Sequence, residues 1–275
     1  MRTTTDQKRQ LRGLVLDVDG TLLDPGHRVT PTVSAAVARA RAAGLHVLLA
    51  SGRSPRAMRD VLDDLDMTGP AIAFNGAVTF RLAGAAIEPL AGTTLDPAAA
   101  ADVLGLAAEH GVEIGWFTLD GWRVAAPGPA ADEEAELTGE APLIDPGLPA
   151  GAAAPYKLMA IAVTQPQTAA LGALRSALPR GVHGVFSHPR YLEVVAPGVD
   201  KAAAVRAAAA GLGLVPAQLA AIGDAENDIG MLREAGVAIA MGNAAPAVIA
   251  AAGRTTATNA EGGVALAIDE LLASR

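Results

Sequence analysis

Two aspartates, Asp17 and Asp19, stand two residues apart at the end of the apolar run Leu14-Val15-Leu16, with Gly20 and Thr21 after them. Positions i and i+2 of a strand point to the same side. The pair therefore projects two like charges together beyond the carboxyl end of a sheet strand. That is costly unless a cation lies between them or one carboxyl stays protonated. Both solutions suit phosphoryl chemistry. A carboxylate can attack phosphorus and form an aspartyl-phosphate. A divalent metal screens the repulsion between nucleophile and phosphate. A second carboxyl can protonate the leaving oxygen and then activate water.

Three further patches fall at expected strand ends or helix starts: Ser51-Gly52-Arg53, Lys201, and Gly223-Asp224-Ala225-Glu226-Asn227-Asp228. Each has a plain reading alone: a Ser-Gly turn, a solvated lysine, a Gly-Asp turn. Together, in this order, they form a constellation. The Ser51 hydroxyl and neighbouring backbone N–H groups can hold phosphoryl oxygens, and Lys201 offers a compact positive charge for the same oxygens. Magnesium takes oxygen ligands and retains waters, so two carboxylates, one carbonyl and a phosphate suffice to hold it.

The elements that must position these groups are legible in the pattern. Leu11 to Asp17, His46 to Ala50 and Ala71 to Phe74 read as buried strands. Between them lie a helix opened by Thr30-Pro31 and closed at Gly44, and another opened at Pro55. This β-α-β-α-β series predicts a parallel sheet covered on both faces, with ligands at the carboxyl ends of its strands. From about residue 80 the texture changes. A hairpin around Ala83-Gly84, a helix capped by Asp96-Pro97 and β-like runs at Val112–Thr118, Trp122–Ala126, Leu158–Val163 and Val182–Phe186 read as an inserted α+β unit. Residues 127–155 read as loop with a short acidic helix at 132–137. The first texture returns near Tyr191, with a long helix after Lys201 and strands at Leu219–Gly223 and Val237–Ala240. The expected fold is α/β: a Rossmann-like core of residues 1–83 and 190–275, strand order 3-2-1-4-5, with a cap inserted over 84–189.

Composition removes several alternatives. With no cysteine, there is no disulfide framework, thiolate metal site or thiol nucleophile. The five histidines show no ligand spacing. A net charge of -8 argues against a nucleic-acid partner and requires local positive charge to capture an anionic substrate. The basic residues Arg2, Lys8, Arg9 and Arg12 precede no apolar signal segment, so residues 1–12 read as a frayed tail. The apolar stretch from Ala235 to Gly253 is broken by Asn243 and Pro246 and does not read as a membrane span. The expectation is a cytoplasmic protein with no membrane partner; a monomer is compatible with the sequence.

In these four patches the sequence resembles the haloacid dehalogenase superfamily of aspartyl phosphotransferases. Within it the chain is similar to the Cof-type sugar-phosphatase branch, whose large α/β cap lies between the second and third motifs, as the insertion between Ser51 and Lys201 does here. Phe74-Asn75-Gly76-Ala77, Tyr191-Leu192-Glu193, Pro197-Gly198-Val199-Asp200-Lys201, Met241-Gly242-Asn243-Ala244, and Asn259 with Glu261-Gly262-Gly263-Val264-Ala265 extend the likeness. The resemblance implies a Mg2+-dependent phosphatase for small phosphorylated metabolites, sugar phosphates first among them. Asp17 would be nucleophile and metal ligand, and Asp19 general acid/base and metal ligand through its carbonyl. Asp224 and Asp228 would complete or support the metal site. Thr21 would steady the Asp19 loop and count, with Ser51, Gly52, Lys201 and Asn227, among the phosphate-binding residues. Asn75 and Arg53 would line the substrate pocket, Arg53 equally open to a structural pairing under the motif. Glu226 and Asp200 would be solvated. Trp116, Trp122, Arg123 and Lys157 are cap candidates for specificity, with packing as the competing role of the tryptophans. Two alternatives remain: a phosphomutase on the same core, and a non-catalytic phosphometabolite-binding module.

Overall fold

The computed structural model describes residues 11–274; most of the expected tail lies outside the described residues. Strand β1 (Gly13–Leu16) is buried throughout. Leu14 and Leu16 enter one apolar cluster and Val15 another, as period-two alternation requires of a strand covered on both faces. Helix α1 (Pro31–Ala42) begins where Thr30 accepts the Val33 N–H and Pro31 presets the first turn. After it come β2 (His46–Ala50), α2 (Arg59–Asp64), β3 (Ala71–Ala73), and the antiparallel pair β4 (Val78–Ala83) and β5 (Ala86–Gly92).

The chain then builds a second layer. It comprises α3 (Pro97–Glu109), β6 (Glu113–Thr118), β7 (Gly121–Val124), α4 (Pro129–Thr138), β8 (Leu143–Ile144), β9 (Lys157–Ile161), α5 (Gln165–Ala177), β10 (His183–His188) and β11 (Tyr191–Val195). It returns through α6 (Lys201–Gly211), β12 (Leu219–Gly223), α7 (Ile229–Glu234), β13 (Val237–Ala240), α8 (Pro246–Ala251), β14 (Arg254–Thr255) and α9 (Gly263–Ala273).

The first sheet has the order β14-β13-β12-β1-β2-β3-β4-β5. Its five central parallel strands, β3-β2-β1-β12-β13, give the 3-2-1-4-5 order, and β4 and β5 add an antiparallel edge. Helices α1 and α9 cover one face through Val33, Val37, Val264 and Ile268. The opposite face is covered by α6, α7 and α8 through Val205, Met231 and Val248. The second sheet runs β10-β11-β9-β6-β7-β8. Helices α3 and α5 pack Val103, Ala107, Leu171 and Leu174 against Trp116, Leu158 and Leu192 on its outer face. Its inner face lies against the first layer, where Phe74 stacks on Tyr156 at 6.1 Å and meets Phe117 edge-on at 6.2 Å.

β5 pairs with β4 through the turn at Gly84 and so stays in the first sheet, while β11 pairs with β9 and β10 and belongs to the second. Helix α5 was not anticipated. It opens with a capping box in which Thr164 accepts the Gln167 N–H and the Gln167 side chain accepts the Thr164 N–H. No helix among the described residues is long and apolar enough to cross a membrane.

Candidate active site

The carboxyl ends of β1, β2 and β12 converge, and each delivers its group where the sequence places it. Asp17 follows β1 and is 4% exposed. Its Oδ1 lies 2.5 Å from Lys201 Nζ, which also donates to Asp228 Oδ1 at 2.7 Å. Lys201 and Asp228 are buried. The second Asp228 oxygen accepts the backbone N–H groups of Asp224 and Ala225, both at 3.0 Å, so Asp228 fixes the turn that carries Asp224. Asp200 is exposed, as expected, and caps α6 by accepting the Ala203 N–H, thereby setting where Lys201 begins the helix.

Three carboxylates, those of Asp17, Asp224 and Asp228, offer oxygens within 4.8 Å of one another. Burial, then the Asp228 charge, pushes the Asp17 carboxyl well above the usual carboxylate range, against the pull of Lys201. Burial and Asp228 likewise push Asp224 up to about 6. One lysine against three carboxylates leaves a buried negative excess, and the donors are all oxygens. That is the chemistry of a hard divalent cation site, and these residues fit one. Gly20 is required beside it: its φ is +75°, and a Cβ there would lie 2.3 Å from Asp224 Oδ2.

Asp19 faces the other way. Arg53 grips it with two bonds, Nε to Oδ2 at 2.8 Å and Nη2 to Oδ1 at 2.6 Å, and His27 Nδ1 stands 3.8 Å from Oδ1. Burial pushes this carboxyl up, but His27 and Arg53 outweigh it and hold it well below the usual range. Arg53 is thus paired beneath the motif, though it also lines the cavity described below.

Thr21, grouped with the phosphate-binding residues in the sequence, gives its hydroxyl to Asp224 Oδ1 at 2.8 Å. Ser51 is buried, and its Oγ accepts the Arg53 N–H at 3.0 Å. Asn227 Nδ2 donates to Asn75 Oδ1 at 2.8 Å, leaving Asn75 Nδ2 and Asn227 Oδ1 buried without hydrogen-bond partners. Glu226 is exposed, as expected, and pairs with Arg175 of the second layer at 2.7 Å.

A cavity of about 370 Å³ opens between the layers. Asp17, Asp19, Ser51, Gly52, Asp224 and Asn227 form its floor; its roof comes from α4, β9, β10 and β11. Of the four cap candidates only Lys157 lines it, and its ammonium is already engaged. Nζ donates to the Gly52 carbonyl at 2.7 Å and lies 2.8 Å from Glu193 Oε2, in a charge contact whose angles are poor for a hydrogen bond. Trp116 packs under α3 and α5 and donates to the Ala153 carbonyl. Trp122 stacks on Phe117 at 5.1 Å and donates to the Glu140 carbonyl. Arg123 lies 4.0 Å from Asp145, away from the cavity. Glu133, Glu134, Met159, Tyr191 and Glu193 are among the roof residues that do face it; the sequence reading gave none of them a site role, naming Tyr191 and Glu193 only within the family signature. Alternation along β11 could have found Tyr191 and Glu193 as one face. Glu134 lies in the acidic helix expected at 132–137, but nothing in the sequence sets it apart from the acids around it.

Residues 14–268 match the family model described as haloacid dehalogenase-like hydrolase. The Bacillus subtilis protein YxeH is 31% identical over 95% of this chain and 98% of its own length. The HMP-PP phosphatase of Cronobacter sakazakii is 31% identical over 85% of each chain. The crystal structure of a haloacid dehalogenase-like hydrolase from Bacteroides thetaiotaomicron superposes with a TM-score of 0.82 at 25% identity, covering 95% of this chain and all of that one. The chain belongs to the haloacid dehalogenase-like hydrolase family and is an enzyme of its phosphatase branch.

Proposed function

We propose that the protein is a magnesium-dependent phosphatase that hydrolyses small phosphorylated metabolites, sugar phosphates among them, through an aspartyl-phosphate on Asp17. The observation that carries this reading is the junction of Asp17, Asp224, Asp228 and Lys201 at the floor of the cavity, with Asp19 beside it. A relative at 31% identity named for HMP-PP, a phosphorylated substrate, supports the choice of a small phosphate.

The residues divide the work. Asp17, Asp224 and the Asp19 carbonyl would hold magnesium, supported by Asp228; when bound, the ion screens negative charge on the transferring group. Lys201 supplies the fixed positive charge beside the nucleophile, and the Ser51-Gly52 turn borders the place for the phosphoryl oxygens. An Asp17 oxygen bonds to phosphorus as the leaving oxygen departs with a proton from Asp19. Water then attacks phosphorus, giving its proton to Asp19 and releasing inorganic phosphate and the Asp17 carboxylate. In the present geometry Arg53 and His27 hold Asp19 as an anion, the state the second step needs. Its service as an acid in the first step requires it to leave Arg53 and take up a proton. The second layer acts as a separate cap, residues 93–195, that closes the cavity and excludes water.

Phosphate release from a panel of phosphorylated metabolites tests this. Release should require magnesium, stop with chelator, and vanish in Asp17→Asn. Magnesium-dependent turnover that survives Asp17→Asn would sink the reading. No observation favours the mutase. Between Leu22 and Ser51 the elements are α1 and β2 alone, with no cap helices after the first motif.

A further inference from the structure

The roof of the cavity carries three carboxylates, and two of them are neutralised. Glu133 pairs with Arg190, and Glu193 with Lys157. On the floor, Asp19 pairs with Arg53. Glu134 is the third roof carboxylate. It projects from α4, is 7% exposed, lines the cavity, and makes no side-chain hydrogen bond or ion pair among the described residues. Leu137, Met159 and Tyr191 line the same cavity, so apolar surface limits the water that could solvate the charge. A carboxylate that faces a largely apolar cavity without a partner is a costly arrangement in a folded protein. Here burial pushes the Glu134 carboxyl up to about 7, with Lys157 pulling down and Glu193 pushing up.

The floor holds the machinery for a phosphoryl group. Whatever the phosphate is attached to must extend towards the roof. A hydroxyl there would satisfy a hydrogen bond but leave the Glu134 charge buried. A cationic group would both bond to it and neutralise it.

We propose that Glu134 is a specificity-determining residue, and that the preferred substrate is a phosphate monoester whose leaving group presents a protonated amine to its carboxylate. This rests on the phosphatase reading for the orientation of the ligand. The ligand is thus zwitterionic, its phosphate dianion on the metal and Lys201 side and its ammonium on Glu134. The unpaired carboxylate is the recognition element because every other charged roof group named above already has a partner.

Binding tests the proposal without depending on turnover. Calorimetry on the Asp17→Asn protein with magnesium would compare two pairs that exchange amine for hydroxyl. These are pyridoxamine 5′-phosphate against pyridoxine 5′-phosphate, and glucosamine 6-phosphate against glucose 6-phosphate. In at least one pair the amine should bind about tenfold more tightly. Adding Glu134→Gln should bring that pair to within about twofold, whereas Glu134→Asp, which keeps the charge, should retain part of the preference. Equal binding in both pairs, preference for the hydroxyl, a preference that survives Glu134→Gln, identical behaviour of the Gln and Asp variants, or no binding at millimolar ligand would each overturn it. Phosphate release by the wild-type protein is measured separately. Release without an amine preference defeats the Glu134 proposal alone. An amine preference in binding with no release from any monoester defeats the phosphatase reading alone.

Discussion

Through Lys157, which contacts Glu193 and the Gly52 carbonyl, a buried charge of the second layer grips the Ser51-Gly52 loop of the first. Both side chains are 3% exposed and their charges are 2.8 Å apart. At an effective dielectric of ~20, Coulomb's law gives roughly 6 kcal/mol of attraction at that distance, most of it offset by desolvation. Breaking the pair from one side does not recover the desolvation. Lys157→Met leaves Glu193 charged in an apolar setting, and Glu193→Leu does the same to Lys157, which lies 4.7 Å from the Phe117 ring centre. Each single change should cost about 3–5 kcal/mol, while the double change should be near neutral. For a protein of this size, ~4 kcal/mol corresponds to a loss of roughly 8–16 °C in Tm. Urea and thermal unfolding of the four proteins close a double-mutant cycle. Single variants within ~1 kcal/mol of wild type, or a double variant that loses the sum of both, would refute the assignment of this pair as a buried clasp.

Three further outcomes follow from the geometry. Glu134 has a folded-state value of about 7 against an ordinary 4.5, so the folded protein binds the extra proton between those values. Stability falls as pH rises through that window and levels off above it. Glu134→Gln removes the dependence, leaving the variant up to ~3 kcal/mol more stable at pH 8 and close to wild type near pH 4.5. Denaturant melts across pH check this, with Lys157, Glu193, Asp19 and Arg53 as the charged groups facing Glu134; parallel curves would refute it. Gly76 has φ +103°, and a Cβ would lie 2.3 Å from the Asp200 carbonyl. Gly76→Ala should therefore lose about 2 kcal/mol or more, read by urea unfolding. Thr21→Val removes the hydroxyl that orients Asp224 and should weaken magnesium affinity about 10- to 100-fold. Metal titration of phosphate release measures the shift, and an unchanged midpoint contradicts the role.

The floor of the site was legible because short-range rules govern it. Strand alternation, helix capping and the order of Asp17, Ser51, Lys201 and Asp224 are local features, and the structure brings those four regions to one end of one sheet. The roof was not legible in the same way. The burial of Glu134 arises only when the second layer folds over residues distant in sequence, so no neighbour announces it. The run 127–155 showed its acidic segment, but its Pro and Gly content obscured that α4 extends from Pro129 to Thr138. Trp116 and Trp122 drew notice by rarity and went to packing. By contrast α5 was readable: Thr164 and Gln167 stand at capping-box spacing with Pro166 between them.

Among the described residues the chain passes between the two layers twice, after Gly92 and after Val195. The second passage is short: β11 ends at Val195 and α6 begins with Lys201 itself. A tilt of the roof about these two tethers would pull on the very backbone that seats the lysine beside Asp17. The placement of Lys201 beside Asp17 is thus tied to the roof by five residues of chain.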